Sequence, residues 1–308
     1  MAIPLTCRRR CPLLAVLLFC TGLSARVAGD PADFTYRTNT TEVRLTFSVL
    51  DQNSHGVATL QASDIVVVDK GVIVRSFQSF TRSDWTKLEI AILIDGSESV
   101  TPHLRREMAD ILDLVSQSAG VPDENLSIVS FEGSRPALLC AGNCRAYHAV
   151  ERLPVTNTRG LTPLFDTIAL AADLLARRGD SRVQKVLIVF SDGVDTVSRN
   201  SLGDAIDVST RNEIQLECID VSQPGSWSQG ATALRRLASA TGGQYFPPPG
   251  GASNALNSVL ERFRASYIVS YRLPTRASGF HSIRIVPTHN LNLQFRSRSG
   301  YYYPDSIR

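Results

Sequence analysis

The 308-residue sequence has no apolar stretch that reaches the roughly 20 residues a helical membrane span requires; the run from Pro12 to Cys20 stops well short. It has no GxxxxGK phosphate loop, no GxGxxG dinucleotide fingerprint and no GxSxG nucleophile elbow. None of His55, His103, His148, His281 or His289 stands in a base motif or at ligand spacing from a cysteine, which argues against a zinc site. An excess of charge is missing too. Residues 1–29 hold Arg8, Arg9, Arg10 and Arg26 and no acid, so the formal net charge of +3 leaves 28 basic against 29 acidic residues in the rest. That balance gives no electrostatic reason to expect nucleic acid or an anionic membrane as partner. No internal repeat or low-complexity tract is present.

What remains is the composition of a globular protein, 43% hydrophobic and 20% charged, long enough to bury a sizeable core. The basic start, the short apolar run and the small residues of "ARVAGD" follow the order of a secretory signal peptide. Residues 1–29 are therefore expected to direct export, to a secreted, periplasmic or cell-envelope location, with a retained signal-anchor as the alternative. Cys7, Cys11 and Cys20 leave with that segment. Cys140 and Cys144 bracket a Gly-Asn turn and can close a small disulfide in an oxidising compartment, while Cys218 sits in an apolar strand pattern as a buried thiol.

Two styles of periodicity divide the remainder. "EVRLTFSVL" (42–50) alternates strictly, as a half-buried antiparallel strand does. Residues 64–80 read as a strand, an Asp-Lys-Gly turn and a return strand, and 266–273, 280–287 and 291–298 are further short strands. Between these ends, apolar strands at 88–94, 126–131, 183–190 and 215–221 alternate with helical patterns at 102–118, 163–178, 201–212, 230–241 and 253–265. Such alternation predicts an α/β fold: a doubly wound, mainly parallel sheet with helices on both faces. The expected layout is residues 30–84 and 265–308 forming a small antiparallel, β-sandwich-like domain from both termini, with residues 85–264 inserted in it.

Sites in doubly wound folds lie beyond the carboxyl ends of the strands. There the sequence turns abruptly from apolar to oxygen-bearing. "LEIAILID" runs into Gly96-Ser97-Glu98-Ser99, "VLIVF" into Ser191-Asp192-Gly193-Val194-Asp195, and Thr162-Pro163 opens a helix. Convergence of Asp95, Ser97, Ser99, Thr162 and Asp192 would present two carboxylates and three hydroxyls. That donor set suits a hard divalent cation, Mg²⁺ or Mn²⁺, which takes oxygen ligands and keeps several waters. Two charges neutralise the ion, and neutral hydroxyls leave it acidic enough to accept one further carboxylate. Singly, each residue has a plainer reading: Asp95 as a strand terminator, Ser97, Ser99 and Thr162 as helix caps, Asp192-Gly193 as a turn.

Asp95-x-Ser97-x-Ser99, Thr162 and Asp192-Gly193, in that order, resemble the metal-ion-dependent adhesion site of von Willebrand factor A-type domains. "SDGVD" and "LASATGGQYF" extend the likeness through the middle region. The flanks "VRLTFSVLDQNSHGVATLQASDIVVVDKG" and "ASYIVSYRLP…RSRSGYYYP" resemble a bacterial relative of that family described from Acidobacteria, in which the A-type domain is inserted in a small β domain. The resemblance implies a secreted or envelope protein that binds a protein partner's Asp or Glu through the ion rather than an enzyme. Glu98 departs from the pattern, standing where a small residue is usual; it either adds charge to the site or points into solvent.

Two other functions compete. In one, the A-type domain is a passive scaffold, and the β domain binds in an assembly or envelope role. In the other, the chain is a Mg²⁺-dependent hydrolase or phosphotransferase, which would need a second Asp where Ser97 stands. Asp195 and Thr196 read as solvated loop residues or, at most, as a shell behind the site, Asp166 as a charge stabilising a helix N-terminus, and the "GYYYPDS" tail as packing on the β domain or as an aromatic interaction patch. Asn39-Thr40-Thr41 and Asn125-Leu126-Ser127 match the glycosylation acceptor pattern, which matters only in a eukaryotic source.

Overall fold

A computed structural model of the chain describes residues 42–52, 56–57, 59–83, 88–97, 123–133, 135–144, 161–178, 183–222, 229–248, 252–264, 266–289 and 292–303. Every described residue lies in one compact unit, Thr40–Arg308. The expected export segment 1–29, the expected helix 102–118 and the residues Glu98 and Ser99 lie outside the described residues.

In chain order the strands are β1 (Glu42–Leu50), β2 (Ile65–Asp69), β3 (Val72–Val74), β4 (Ser79–Arg82), β5 (Leu88–Asp95), β6 (Leu126–Glu132) and β7 (Arg135–Ala141). Then follow α1 (Leu164–Arg178), β8 (Gln184–Ser191), α2 (Leu202–Arg211), β9 (Ile214–Asp220), α3 (Gln229–Thr241), β10 (Tyr245–Phe246) and α4 (Ala252–Arg264). The chain ends with β11 (Ser266–Arg272), β12 (Gly279–Pro287), β13 (Gln294–Ser297) and β14 (Gly300–Tyr303).

The central sheet runs β10-β9-β8-β5-β6-β7; all its pairings are parallel except β6 with β7. β5 is buried along its whole length, which is why its sequence is an apolar run rather than an alternation. Its two faces serve different cores. Ile90, Ile92 and Ile94 pack with Val186, Ile188 and Phe190 against Leu256, Val259 and Phe263 of α4. Ala91 and Leu93 pack with Leu187 and Val189 against Leu164, Ile168 and Leu175 of α1 and Leu234 and Leu237 of α3. Helices therefore cover both faces, as the sequence pattern predicts.

The chain's two ends supply two antiparallel four-stranded sheets, β13-β1-β11-β4 and β14-β12-β2-β3. The alternation in β1 buries Val43, Leu45, Phe47 and Val49, which meet Ile65, Val67, Tyr271 and Ile285 in a third core. The Asp69-Lys70-Gly71 turn forms where expected, with Lys70 and Gly71 at φ 47° and 84°, the left-handed pair a two-residue hairpin needs. The return strand is shorter than the sequence suggests: β3 stops at Val74, and Phe80 belongs to β4, which pairs with β11 in the other sheet. β14 pairs with β12, which places Gly300–Tyr303 on the sandwich, and the Tyr302 hydroxyl donates to Asp207 of α2 at 2.7 Å.

β7 has no counterpart in the sequence reading. It is an antiparallel edge strand, and its Pro136 is tolerated for that reason. It leads into the Cys140–Cys144 disulfide, while Cys218 is a buried free thiol. No helix among the described residues is long and apolar enough to cross a membrane.

Candidate functional site

β5 is flanked by β8 on one side and β6 on the other. From β5 the chain moves on to β6 and β7; from β8 it moves the opposite way, to β9 and β10. The carboxyl ends of β5 and β8 thus form the switch point of the sheet, the place where doubly wound folds bind their ligands. Asp95 ends β5, Ser191 ends β8, and the pairing of Ile94 with Phe190 sets them side by side.

Asp95 is fully buried, and its carboxylate is bound from both sides. The Ser97 amide donates to Oδ1 at 3.0 Å, and the Ser191 hydroxyl donates to Oδ2 at 2.6 Å. Burial lifts the Asp95 pKa from 3.8 to about 6. The bonds from Ser191 and Ser97 oppose that rise, and the neighbouring charge of Asp192 adds to it. The Ser97 hydroxyl adds a third bond to the carboxylate.

Asp192 follows directly from β8 and is half-buried; its Oδ1 accepts the Val194 amide at 3.0 Å. Gly193 shapes this turn. Its φ is +79°, and a side-chain carbon there would strike the Gly230 backbone at the start of α3. Only glycine meets both conditions.

Backbone bonds join the loops along this edge. Gly96 N–H reaches the Phe131 carbonyl, and Gly133 N–H reaches the Leu161 carbonyl, both at 2.9 Å. Buried Thr162 is held by Thr196 in both directions: its amide donates to Thr196 Oγ1 at 2.8 Å, and its carbonyl accepts the Thr196 amide at 2.9 Å. The structure thus brings Asp95, Ser97 and Asp192 together at one edge of the sheet and ties the Thr162 loop to the loop bearing Asp192. Ser99 is outside the described residues.

Asp195 is half-buried and Thr196 exposed, and both bond to the segment that carries Thr162 and opens α1. Asp195 Oδ1 accepts the Phe165 amide at 3.1 Å at the start of α1, as well as the Ser198 hydroxyl at 2.5 Å. Asp166 reciprocates from α1, accepting the amides of Arg199 and Asn200 and the Asn200 side chain. Its role is thus to hold the 199–200 loop as well as to lie at a helix N-terminus. Burial pushes the Asp166 carboxyl up, but those bonds outweigh it and hold the group below its usual range. Ser191 stands in the oxygen-bearing stretch after "VLIVF", but the sequence gives it no role of its own. Its signal is weak, a hydroxyl just ahead of Asp-Gly at the close of an apolar run. Asp220, at the end of β9, is occupied by the Tyr245 hydroxyl at 2.6 Å and the Ser222 amide at 2.9 Å.

Residues 90–194 match the family model described as the von Willebrand factor type A domain. The central layer is a von Willebrand factor A-type fold. No curated protein matches the chain. Among similar solved structures, manganese-loaded TRAP protein from Plasmodium vivax is 17% identical, covering 77% of this chain and 99% of its own at a TM-score of 0.43. An aerotolerance-related membrane protein from Bacteroides fragilis, with multiple mutations to serines, is 16% identical, covering 57% and 98% at 0.41. The conserved hypothetical protein BatB from Bacteroides thetaiotaomicron is 14% identical, covering 57% and 96% at 0.39. At these values the likenesses say nothing of ligand or partner.

Proposed function

We propose that this A-type domain is a metal-dependent protein-binding module, not an enzyme, working outside the cytoplasm or in the envelope. Mg²⁺ or Mn²⁺ would be held by Asp95, Ser97, Thr162 and Asp192 together with Ser99, and would supply an electrophilic point for a carboxylate on a partner protein. The finer kinship with the acidobacterial branch, read from the flanking β segments, belongs to the same proposal.

One observation carries the reading. Asp95 is a fully buried carboxylate, set at the switch point close enough to Asp192 for the two charges to repel. A buried charge facing a like charge is costly unless a cation compensates it. The donor set fits a hard divalent ion: oxygen atoms only, two of the groups anionic, and hydroxyls that leave the ion acidic. Ser191 and the Ser97 amide orient Asp95 from behind, as outer partners orient metal ligands.

The test is a pull-down from native extract by the full chain in Mg²⁺ and in EDTA, repeated with Asp192→Ala. Capture that needs Mg²⁺ and is lost in the variant is expected. Capture unchanged in EDTA would instead favour the scaffold reading, with the β-sandwich as the binding face.

A further inference from the structure

The core of the β-sandwich holds a group of polar side chains that the candidate metal site does not use. Asp69 closes β2, Tyr271 lies on β11, His281 on β12 and Tyr301 on β14. The strand registers set His281 opposite Tyr301 and Ile283 opposite Asp69. Asp69, Tyr271 and His281 are fully buried, and Tyr301 is half-buried.

Counting protons fixes the state of the ring. Asp69 Oδ2 accepts the Tyr271 hydroxyl at 2.9 Å and the Tyr301 hydroxyl at 2.8 Å. Burial and the Asp69 carboxylate hold both tyrosines far above their ordinary titration, so both keep the protons they donate. His281 Nε2 lies 2.6 Å from the Ala277 carbonyl, which can only accept, so Nε2 carries a proton. Nδ1 faces two oxygens: the Tyr301 hydroxyl at 3.1 Å, whose proton is already committed, and Asp69 Oδ1 at 3.4 Å. Oδ1 has no hydrogen-bond partner of its own. A bare Nδ1 would set a lone pair against two oxygens and leave Oδ1 buried without a donor, which is costly. A proton on Nδ1 satisfies all three atoms.

A plainer account keeps the ring neutral and turns the Tyr301 hydroxyl to Nδ1. Asp69 would then be a buried carboxylate with the Tyr271 hydroxyl as its remaining donor. The other groups beside the cluster do not replace the loss. Tyr303 stands 6.0 Å from His281 between ring centroids, Arg298 lies over the Tyr301 ring but is paired with Glu213, and Lys70 is exposed in the turn after Asp69.

The strand that this cluster holds is β14. It is an edge strand, paired with β12 alone. Successive residues of a strand point to opposite faces, and Tyr302 faces away from the cluster: its hydroxyl donates to Asp207 of α2, and the Arg211 guanidinium lies 4.7 Å over its ring. Through Tyr301 and Tyr302, β14 is fastened to the sandwich core and to the A-type layer at once.

We propose that the His281–Asp69 pair is a proton-operated clasp on β14. With Nδ1 protonated the cluster is closed and Tyr301 is held. When Nδ1 loses that proton, Tyr301 has one proton for two acceptors, and the edge strand loosens before the inner strands β12 and β2. The fastening of the sandwich to α2 therefore tightens in acid and slackens as pH rises.

Nitrogen-15 NMR of the full chain from pH 5 to pH 9 tests this. The His281 ring is assigned by its contact with the Tyr301 ring, 4.9 Å away between centroids. Both ring nitrogens are expected to carry protons at pH 5. As Nδ1 loses its proton, hydrogen-exchange protection of the β14 amides should fall about tenfold or more, the weight of one charge-assisted bond. The control is His281→Asn, which sets a non-titrating N–H near the place of Nδ1. Its β14 protection should stay nearly level over the same range, and because it keeps Asp95, the difference between the two proteins reports the ring alone. A His281 ring with a single proton at pH 5 overturns the proposal. So does β14 protection in the parent that falls no further than in the variant. The ring protons are read on the parent, so that reading decides even where the variant fails to fold.

Discussion

The Ser191 hydroxyl donates to Asp95 Oδ2 at 2.6 Å and accepts the Gly193 amide at 3.0 Å, so one side chain bridges residues 95 and 193. It orients the buried carboxylate and fixes the turn that carries Asp192. Ser191→Ala removes both bonds and leaves the fold's cores untouched. Mg²⁺ affinity by titration calorimetry should fall about 10- to 100-fold, the usual weight of an outer partner in a metal site. Unaltered affinity would show that Asp95 is held by packing alone.

Asp95 makes the metal-free fold sensitive to alkali. Its folded pKa of about 6 lies above the ordinary 3.8, so its contribution is fully present below about pH 4 and is lost as pH rises through 6. A rise of that size corresponds to on the order of 3 kcal/mol. In EDTA at pH 7.5, Asp95→Asn should melt higher than the parent protein. Mg²⁺ should stabilise the parent at that pH, less so at pH 5 where protons compete for Asp95, and leave the variant unmoved. A variant that melts lower than its parent in EDTA would contradict the assignment of a costly buried charge.

Gly193→Ala meets a left-handed φ and the Gly230 backbone at once. The loss should be at least about 2 kcal/mol in denaturant unfolding, accompanied by loss of Mg²⁺ binding as Asp192 shifts. Gly71→Ala is the control: φ is +84° but nothing lies within 4 Å of the added carbon. Its cost should stay near the ~1 kcal/mol of left-handed strain alone. Equal costs at the two positions would rule out the close approach as the cause.

Asp195→Ala uncaps α1 and frees the loop that holds Thr162 through Thr196. A stability loss of about 1 kcal/mol is expected for the cap, with weaker Mg²⁺ binding. Asp166 acts in the same place with the opposite pH sense from Asp95. Its lowered pKa gives stability above the ordinary carboxylate range that disappears on acidification. Asp166→Asn should therefore flatten the acid limb of the melting curve, and an unchanged limb would remove it from that role.

Much of the fold was legible because burial writes itself into local pattern. β5 and β8 are buried on both faces and read as apolar runs; β1 and β12 are buried on one face and alternate. β7 escaped because an edge strand with Pro136 and an exposed Leu138 carries neither signature. The hairpin after β2 was legible in its turn but not in its length, because the pairing of β4 with β11 joins residues far apart in the chain: Ser79 meets Ser270, 191 positions away.

The same division holds at the site. Residue type and order alone marked Asp95, Ser97, Ser99, Thr162 and Asp192, since oxygen atoms closing apolar strands are a local anomaly. Which neighbours hold them is a matter of topology. Ser191 reaches Asp95 across 96 positions, and Asp195 reaches α1 across 30. Periodicity and composition are properties of neighbours in the chain, and they specify the elements and the chemistry on offer. Hydrogen-bond partners, buried charge and shared cavities depend on which elements pack together, and these arise only once the sheet has wound both ways around β5.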